Sequence, residues 1–282
     1  MDGSGYCLLD VADGRKLEQF GPRLLDRPCP QSVGPRRHPE RWSAAHARFD
    51  LKKGSVDKGV WSFLNPESAE PWKIGIDGLC FHLQCQPTGN VGLFPETRSL
   101  WVDLEAWAAA RTAPTFLNAF AYTGGATLAT ARAGAQCCHV DAAKGAVRTA
   151  RENATASCLA ERPIRWIAED VRTFLAREAR RGRTYHGILL DPPSFGRGPD
   201  GRVFKIEKDL DALLDQMAAL LDPVDATVWL SAHTPGMDGR FLEKALSRAL
   251  GFGELTSRPM LLVGDGIQVP AGWLARWTRA TV

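Results

Sequence analysis

The sequence predicts an α/β protein: a doubly wound, mostly parallel sheet closed by an antiparallel C-terminal hairpin, preceded by a small β-rich region. Three observations carry that expectation. From Thr115 onward short apolar runs alternate with helix-like stretches, and repeated βα units build a parallel sheet with helices on both faces. Before Asn90 the segments are short, alternating and rich in Trp, as in a small sheet with one covered face. Near the end, two strand-like segments surround Gly264-Asp265-Gly266, a hairpin signal.

Taken in order, Tyr6–Val11 and Lys16–Phe20 are strand-like and joined through Asp13-Gly14; Arg23–Asp26 extends them into a meander. Pro28, Pro30, Gly34, Pro35 and Pro39 then break regular structure. Further β-like segments are Val60–Phe63, Trp72–Ile76 and Leu79–Leu83, and Leu100–Ala110 reads as a helix. The domain boundary is expected near Asn90, giving a region 1–90 and a domain 91–282. Strand-like runs then fall at Thr115–Phe120, Gln136–Val140, Ile164–Ala168, Gly187–Leu190 and Thr227–Leu230. Helix-like stretches between them are Gly125–Ala133, Ala143–Ala154, Val171–Arg181 and Ile206–Leu221, with Phe241–Leu250 after. Ile206–Leu221 is the clearest: Ile206, Leu210, Leu213, Leu214, Met217 and Leu221 share one face at 3.6-residue spacing.

Composition bounds the function classes. At 282 residues the chain can bury one substantial core plus an appendage, and 44% hydrophobic with 24% charged residues is the balance of a soluble globular protein. No apolar run approaches bilayer length, and the N-terminus lacks the basic and apolar segments of a signal peptide. Seven cysteines at irregular spacing read as reduced thiols, so a cytoplasmic location is expected. Cys80, His82 and Cys85 do not make a metal site on strand alternation, which turns Cys85 to the other face. Arg36, Arg37, Arg41, Arg48, Lys52, Lys53 and Lys58 stand against Glu40, Asp50 and Asp57, and a second cluster is Arg177, Arg180, Arg181 and Arg183. Either cluster alone reads as a solvated face; as a pair flanking a site they point to a polyanion.

The chemistry concentrates after three of the strands. In Asn118-Ala-Phe120-Ala-Tyr122-Thr123-Gly124-Gly125 an apolar run enters a small turn and leaves it as a helix, whose first N–H groups suit a nucleotide-like ligand. Phe120 and Tyr122 occupy positions where a pyrophosphate would need bare backbone, so a nucleoside with a zwitterionic tail fits better: S-adenosylmethionine. Asp141, followed by Ala142, could accept from both ribose hydroxyls or could cap the next helix. Asp170 could take the adenine amino group, with Val171 against the ring, or could cap its own helix. In Asp191-Pro192-Pro193-Ser194-Phe195 two prolines deny the turn its ladder bonds, leaving carbonyls for an exocyclic amine, and Phe195 is placed to stack on a base.

Together Asn118–Gly125, Asp141, Glu169-Asp170-Val171 and Asp191–Phe195 resemble class I S-adenosylmethionine-dependent methyltransferases, in particular the bacterial ribosomal RNA large-subunit group. Gly92-Leu-Phe-Pro-Glu-Thr-Arg98 is similar to that group's segment before the first motif. The resemblance implies a Rossmann-like seven-stranded methyltransferase sheet. It also implies a cofactor site lined by Phe120, Tyr122, Gly124, Asp141, Asp170 and Asp191, and a target-base site at Pro192 to Phe195. Structured RNA is the substrate class it suggests. Cytosine-C5 methylation needs a cysteine thiolate, which members of the group place beside the fourth-strand motif or after the fifth strand. Here those positions read Ser194 and Leu230-Ser231-Ala232-His233-Thr234, with no cysteine after Cys158. A nitrogen acceptor needs no covalent step and is expected instead. His233 could contact the base, accept a proton or be structural. Methylation of a small molecule or protein, and a catalytically inactive cofactor-binding module, are the competing functions; a nicotinamide dehydrogenase is disfavoured by Phe120 and Tyr122.

Overall fold

The computed structural model describes residues 5–55, 58–197, 203–264 and 266–279; Asp265, in the expected hairpin turn, lies outside them. The chain divides into two compact units, Met1–Glu96 with Leu261–Pro270, and Thr97–Met260 with Ala271–Val282.

In the first unit β1 (Tyr6–Ala12), β2 (Arg15–Phe20) and β3 (Arg23–Pro28) form the antiparallel meander. Asp13 and Gly14 turn the first hairpin, both with positive φ. A single helical turn, α1 (Pro39–Ser43), precedes β4 (Ala47–Leu51), which pairs parallel with β3 and antiparallel with β5 (Gly59–Phe63). The order β1-β2-β3-β4-β5 leaves β5 at an edge. A separate hairpin joins β6 (Trp72–Ile76) to β7 (Leu79–Leu83). β4 falls inside the basic stretch, where the sequence reading has no strand. Ala47, Phe49 and Leu51 alternate with Arg48 and Asp50 there, but only Ala47 and Phe49 are buried, so the period-2 signal is five residues long and set among charges.

In the second unit α2 (Arg98–Ala109) leads into β8 (Thr115–Ala119), α3 (Gly125–Arg132), β9 (Gln136–Asp141), α4 (Lys144–Ala156), β10 (Ile164–Ala168) and α5 (Val171–Arg180). β11 (Gly187–Leu190) follows, then a short pair unforeseen in the sequence, β12 (Phe195–Arg197) against β13 (Val203–Lys205). The unit ends with α6 (Ile206–Ala218), β14 (Thr227–Ala232), α7 (Gly239–Leu250) and the hairpin strands β15 (Glu254–Gly264) and β16 (Ile267–Thr278), whose tip belongs to the first unit.

Strand order is β10-β9-β8-β11-β14-β16-β15. The first five are parallel and β16 lies antiparallel to β14. β11 and β14 are buried along their whole length, which is why they read as unbroken apolar runs. One face of the sheet is covered by Phe174 and Leu175 of α5, Leu210, Leu213 and Leu214 of α6 and Leu242 and Leu246 of α7. The other is covered by Leu100, Leu104 and Trp107 of α2, with Trp107 packed edge-on at 5.4 Å from Trp229. Burying these large side chains is worth about 1.5–3 kcal/mol each before entropy is counted. The chain winds outward in opposite directions from β8 and β11. Loops leaving the carboxyl ends of those two strands therefore part and leave a crevice between them.

Candidate functional site

The turn after β8 is the most constrained backbone in the crevice. Phe120 has φ +60° and Tyr122 φ +48°, left-handed values that cost a non-glycine residue of order 1 kcal/mol or more each. Gly124, at φ +94°, has a second reason to be glycine: a Cβ there would sit 3.1 Å from that of Ala150. The surroundings over-determine this shape. Ala121 N–H donates to the Val140 carbonyl at 3.0 Å and Gly124 N–H to that of Ala121 at 3.0 Å. The fully buried Asn153 of α4 donates its amide to the Thr123 carbonyl at 3.0 Å. Sequence reasoning missed Asn153 because it sits in mid-helix, where nothing marks it out. Asn153→Ala should lower stability by about 1–2 kcal/mol in urea unfolding.

Asn118 is buried under this turn and does not face the crevice. Its amide donates to Thr127 Oγ1 at 2.9 Å, and Thr127 Oγ1 meets His139 Nδ1 at 3.0 Å, tying α3 to β8 and β9. Burial pushes the His139 imidazole down to about 3, so the ring is neutral. Thr123 is likewise buried, whereas Phe120, Tyr122 and Ala142 are half-buried at the crevice. Phe120 packs on Phe204, ring centroids 5.6 Å apart.

Asp141 ends β9 with one carboxylate oxygen on the loop after β8 and the other on the loop after β9. Oδ2 accepts the Tyr122 N–H at 2.8 Å and Oδ1 the Ala143 N–H at 2.8 Å. The N-cap position of α4 is Ala143 itself, so Asp141 braces two loops rather than capping that helix from its first position. An ionised carboxylate offers about four acceptor sites, so two remain for further donors. Burial raises its pKa above the ordinary value, and the two N–H bonds pull against that rise.

Asp170 is the N-cap of α5. Oδ1 accepts the Arg172 and Thr173 N–H groups at 3.0 and 3.2 Å, and Oδ2 pairs with the Arg172 guanidinium at 3.0 Å. Burial alone would raise its pKa, yet the Arg172 bond and the backbone donors outweigh it and hold the carboxyl below its usual value. The capping role is thus what the geometry shows, and Val171 beside it is buried in the sheet's core.

After β11, Asp191 N–H donates to the Ala119 carbonyl at 3.3 Å, joining the fourth-strand motif to the first. Asp191 Oδ1 accepts from Ser231 Oγ at 2.5 Å and lies 3.3 Å from His233 Nε2. His233 Nδ1 is 2.7 Å from the Ala271 carbonyl. The ring thus bridges the Ala271 carbonyl and the Asp191 carboxylate, one nitrogen to each. Room for the ring comes from Gly272, where a Cβ would stand 2.9 Å from His233 Nδ1. Burial works to raise the Asp191 pKa, but His233 and Ser231 prevail and hold it below the usual carboxylate range. Ser231 and His233 are neighbours that only β14's position beside β11 brings to Asp191.

Pro192 is buried and Pro193 exposed, and Phe195 is 53% exposed at the start of β12. Among the described residues no backbone N–H reaches the Asp191, Pro192 or Pro193 carbonyls. The Ser194 carbonyl differs: it accepts from Ile206 N–H at 3.2 Å, and Ser194 Oγ meets Thr234 Oγ1 at 2.6 Å. Cys137 and Cys138 lie toward the amino end of β9, lining a cavity of about 270 Å³ with Arg165, Arg183 and Tyr185. Burial pushes the Cys138 thiol up to about 11, so it supplies no thiolate near neutral pH.

The second basic cluster does not flank the crevice. α5 runs from Asp170 at the carboxyl edge back to the amino edge, carrying Arg180, Arg181 and Arg183 away, a helix length of about 15 Å. Arg177 and Arg181 are moreover paired with Glu169 and Glu178. Among the described residues no three His, Cys, Asp or Glu side chains group as a metal site, and no helix is long and apolar enough to cross a membrane.

Fold and strand order define a doubly wound protein with a crevice at the reversal between β8 and β11. The chain belongs to the S-adenosylmethionine-dependent methyltransferase family, whose model matches residues 37–256. It is 33% identical over 189 residues to ribosomal RNA large subunit methyltransferase K/L of Pseudomonas paraeruginosa, covering 66% of this chain and 25% of that protein. It is 26% identical over 180 residues to ribosomal RNA large subunit methyltransferase K of Neisseria meningitidis serogroup B, covering 63% and 50%. The chain thus spans a quarter to a half of these relatives. The crystal structure of the SAM-dependent methyltransferase from Agrobacterium tumefaciens superposes with a TM-score of 0.91 at 33% identity, covering 99% of this chain and 92% of that one. SMU.776 complexed with SAH shares the fold, with a TM-score of 0.75 at 20% identity, covering 99% and 76%.

The residues present fit the cofactor. The N-terminus of α3 carries no side-chain cap, leaving its first turn to a carboxylate, and Asp141 keeps acceptor capacity for two ribose hydroxyls. When bound, S-adenosylmethionine supplies an electrophilic sulfonium methyl.

Proposed function

We propose that this methyltransferase acts on a base nitrogen of RNA, with ribosomal RNA the leading class. The observation that carries this reading is the Asp191–Phe195 segment at the strand-order reversal. There unpartnered carbonyls, an ionised carboxylate and an exposed aromatic ring lie together, and neither Ser194 nor the 230–234 segment offers a thiol. The acceptor's amino hydrogens are held by Asp191 and the Pro192 carbonyl while Phe195 stacks on the ring. The nitrogen lone pair attacks the methyl carbon in line, the new N–C bond forming as the S–C bond breaks and its electron pair goes to sulfur. Asp191, held in its ionised form, orients the amine rather than storing its proton, and the shed proton goes to water at the half-exposed mouth. Asp141 and the uncapped turn of α3 hold the nucleoside and its tail. Support for RNA comes from the relatives named as ribosomal RNA methyltransferases and from the basic stretch between Arg36 and Lys58.

Transfer of tritiated methyl to total RNA, to small metabolites and to protein fractions tests the substrate class. Label is expected in RNA, with a methylated nucleoside resolved by mass spectrometry; label confined to metabolites or protein would overturn it. Phe195→Ala is expected to lower kcat/KM for RNA roughly 10- to 100-fold, the worth of one stacked base, with cofactor affinity unchanged by calorimetry. Normal turnover of that variant would remove the stacking role.

A further inference from the structure

The net charge of the chain is +3, yet the segment from Arg36 to Leu64 holds seven basic against three acidic residues, a net of +4. The rest of the chain is therefore −1, and the whole positive excess sits in a tenth of the sequence. The first unit fixes where that segment lies. Asp10 Oδ2 accepts from Arg37 N–H at 2.9 Å and from Trp42 Nε1 at 2.8 Å, pinning the start of the stretch to β1. The parallel pairing of β3 with β4 sends the β4–β5 hairpin to the end of the sheet where the Asp13-Gly14 turn also lies, with Arg36 near Asp13 at 3.9 Å. Arg48 is spent on Asp50 and Asp26, but the exposed Lys52, Lys53 and Lys58 take no carboxylate partner among the described residues.

Aromatic rings stand beside these cations. β4 and β5 pair Phe49 with Trp61 and Ala47 with Phe63, so alternation puts Phe49, Trp61 and Phe63 on one face. Trp61 and Phe63 lie 6.3 Å apart and within 20° of parallel, and Phe49 backs Trp61 at 5.1 Å. Phe63 is 37% exposed and the following Leu64 62% exposed. Lysines beside an edge strand commonly serve only to block strand addition. Such guarding needs no half-open, near-coplanar pair of rings, which costs apolar exposure.

We propose that the β4–β5 hairpin is a binding surface for single-stranded RNA, with Trp61 and Phe63 as the stacking platform for bases and Lys52, Lys53 and Lys58 as the phosphate contacts. This rests on the proposed RNA substrate and assigns the element that grips it. Aromatic faces with interleaved cations suit a single strand, whose bases are free to stack, better than a duplex, whose bases are already stacked. The surface supplies affinity with little sequence preference, leaving choice of the base to the crevice.

The test is fluorescence anisotropy of the full chain with a fluorescein-labelled 12-nucleotide single-stranded RNA, read over a salt series. The Lys52→Gln, Lys53→Gln, Lys58→Gln triple variant, all exposed positions, is expected to reduce the slope of log K against log salt by roughly 2, about 0.7 per lost phosphate contact. Phe63→Ala is expected to weaken binding about tenfold without changing that slope. Unchanged affinity and slope in the lysine variant overturn the proposal, and so does competition by oligoglutamate as strong as by unlabelled RNA, which would make the face a site for acidic protein. Binding is read here without methyl transfer. Failure to methylate RNA sinks the proposed reaction alone, while variants that bind like wild type sink the surface alone.

Discussion

Asp141→Ala is expected to weaken S-adenosylmethionine binding about 100-fold by calorimetry, the largest effect of any single change on the cofactor side. Two charge-assisted bonds to ribose hydroxyls, each worth about 1.5 kcal/mol or more, account for a factor of that size. The same substitution withdraws the acceptors of the Tyr122 and Ala143 N–H groups and frees the strained turn that they hold. Asp141→Asn separates the two contributions. An amide oxygen can still serve one loop N–H, but its NH₂ faces the other, so binding falls by a similar factor while the fold stands. Dependence on pH has a definite sign. The ionised form accepts the hydroxyl protons, so affinity drops as pH falls through the folded-state pKa. Burial puts that pKa above 3.8, and the loss therefore begins at a less acid pH than for an exposed aspartate. A pH-independent binding constant down to the range of an ordinary carboxylate would refute the ribose role.

Asp191→Ala should lower kcat about 10²- to 10³-fold. What is lost is orientation of the acceptor nitrogen, and misplacing a nucleophile by about 1 Å is enough for the first hundredfold. His233→Ala is expected to cost less, about tenfold in kcat, because Ser231 still holds Oδ1 at 2.5 Å. The two changes should not add: with Asp191 gone, His233 has nothing left to orient, so the double variant should match Asp191→Ala within about twofold. Additive losses would mean that His233 acts on the substrate directly. Single-turnover measurements at saturating cofactor separate these outcomes from effects on release.

Much of this was legible in the residues because the cues were local. The alternation of apolar runs with helices announced the parallel sheet, and Ile206–Leu221 announced its helix by spacing alone. The bulky Phe120 and Tyr122, standing where a dinucleotide fold carries glycine, argued for a nucleoside without phosphate. Other features depend on partners distant in sequence. Asp170 offered two equally local roles, and the capping one is seen only with Arg172 and the helix it starts in place. Asn118 looked like a crevice residue, and the structure buries it with its amide on Thr127.

What the sequence by itself determined was the class of fold and the cofactor it admits, because periodicity, turn residues and proline act over a few bonds. Tertiary structure alone decided which groups meet. It brought Ser231 and His233 forty residues along the chain to Asp191 through the pairing of β11 with β14, and it carried Arg180–Arg183 to the far edge along α5. The physical reason is that hydrogen-bonded and charged pairs are selected by distance in space, which strand order sets and composition does not.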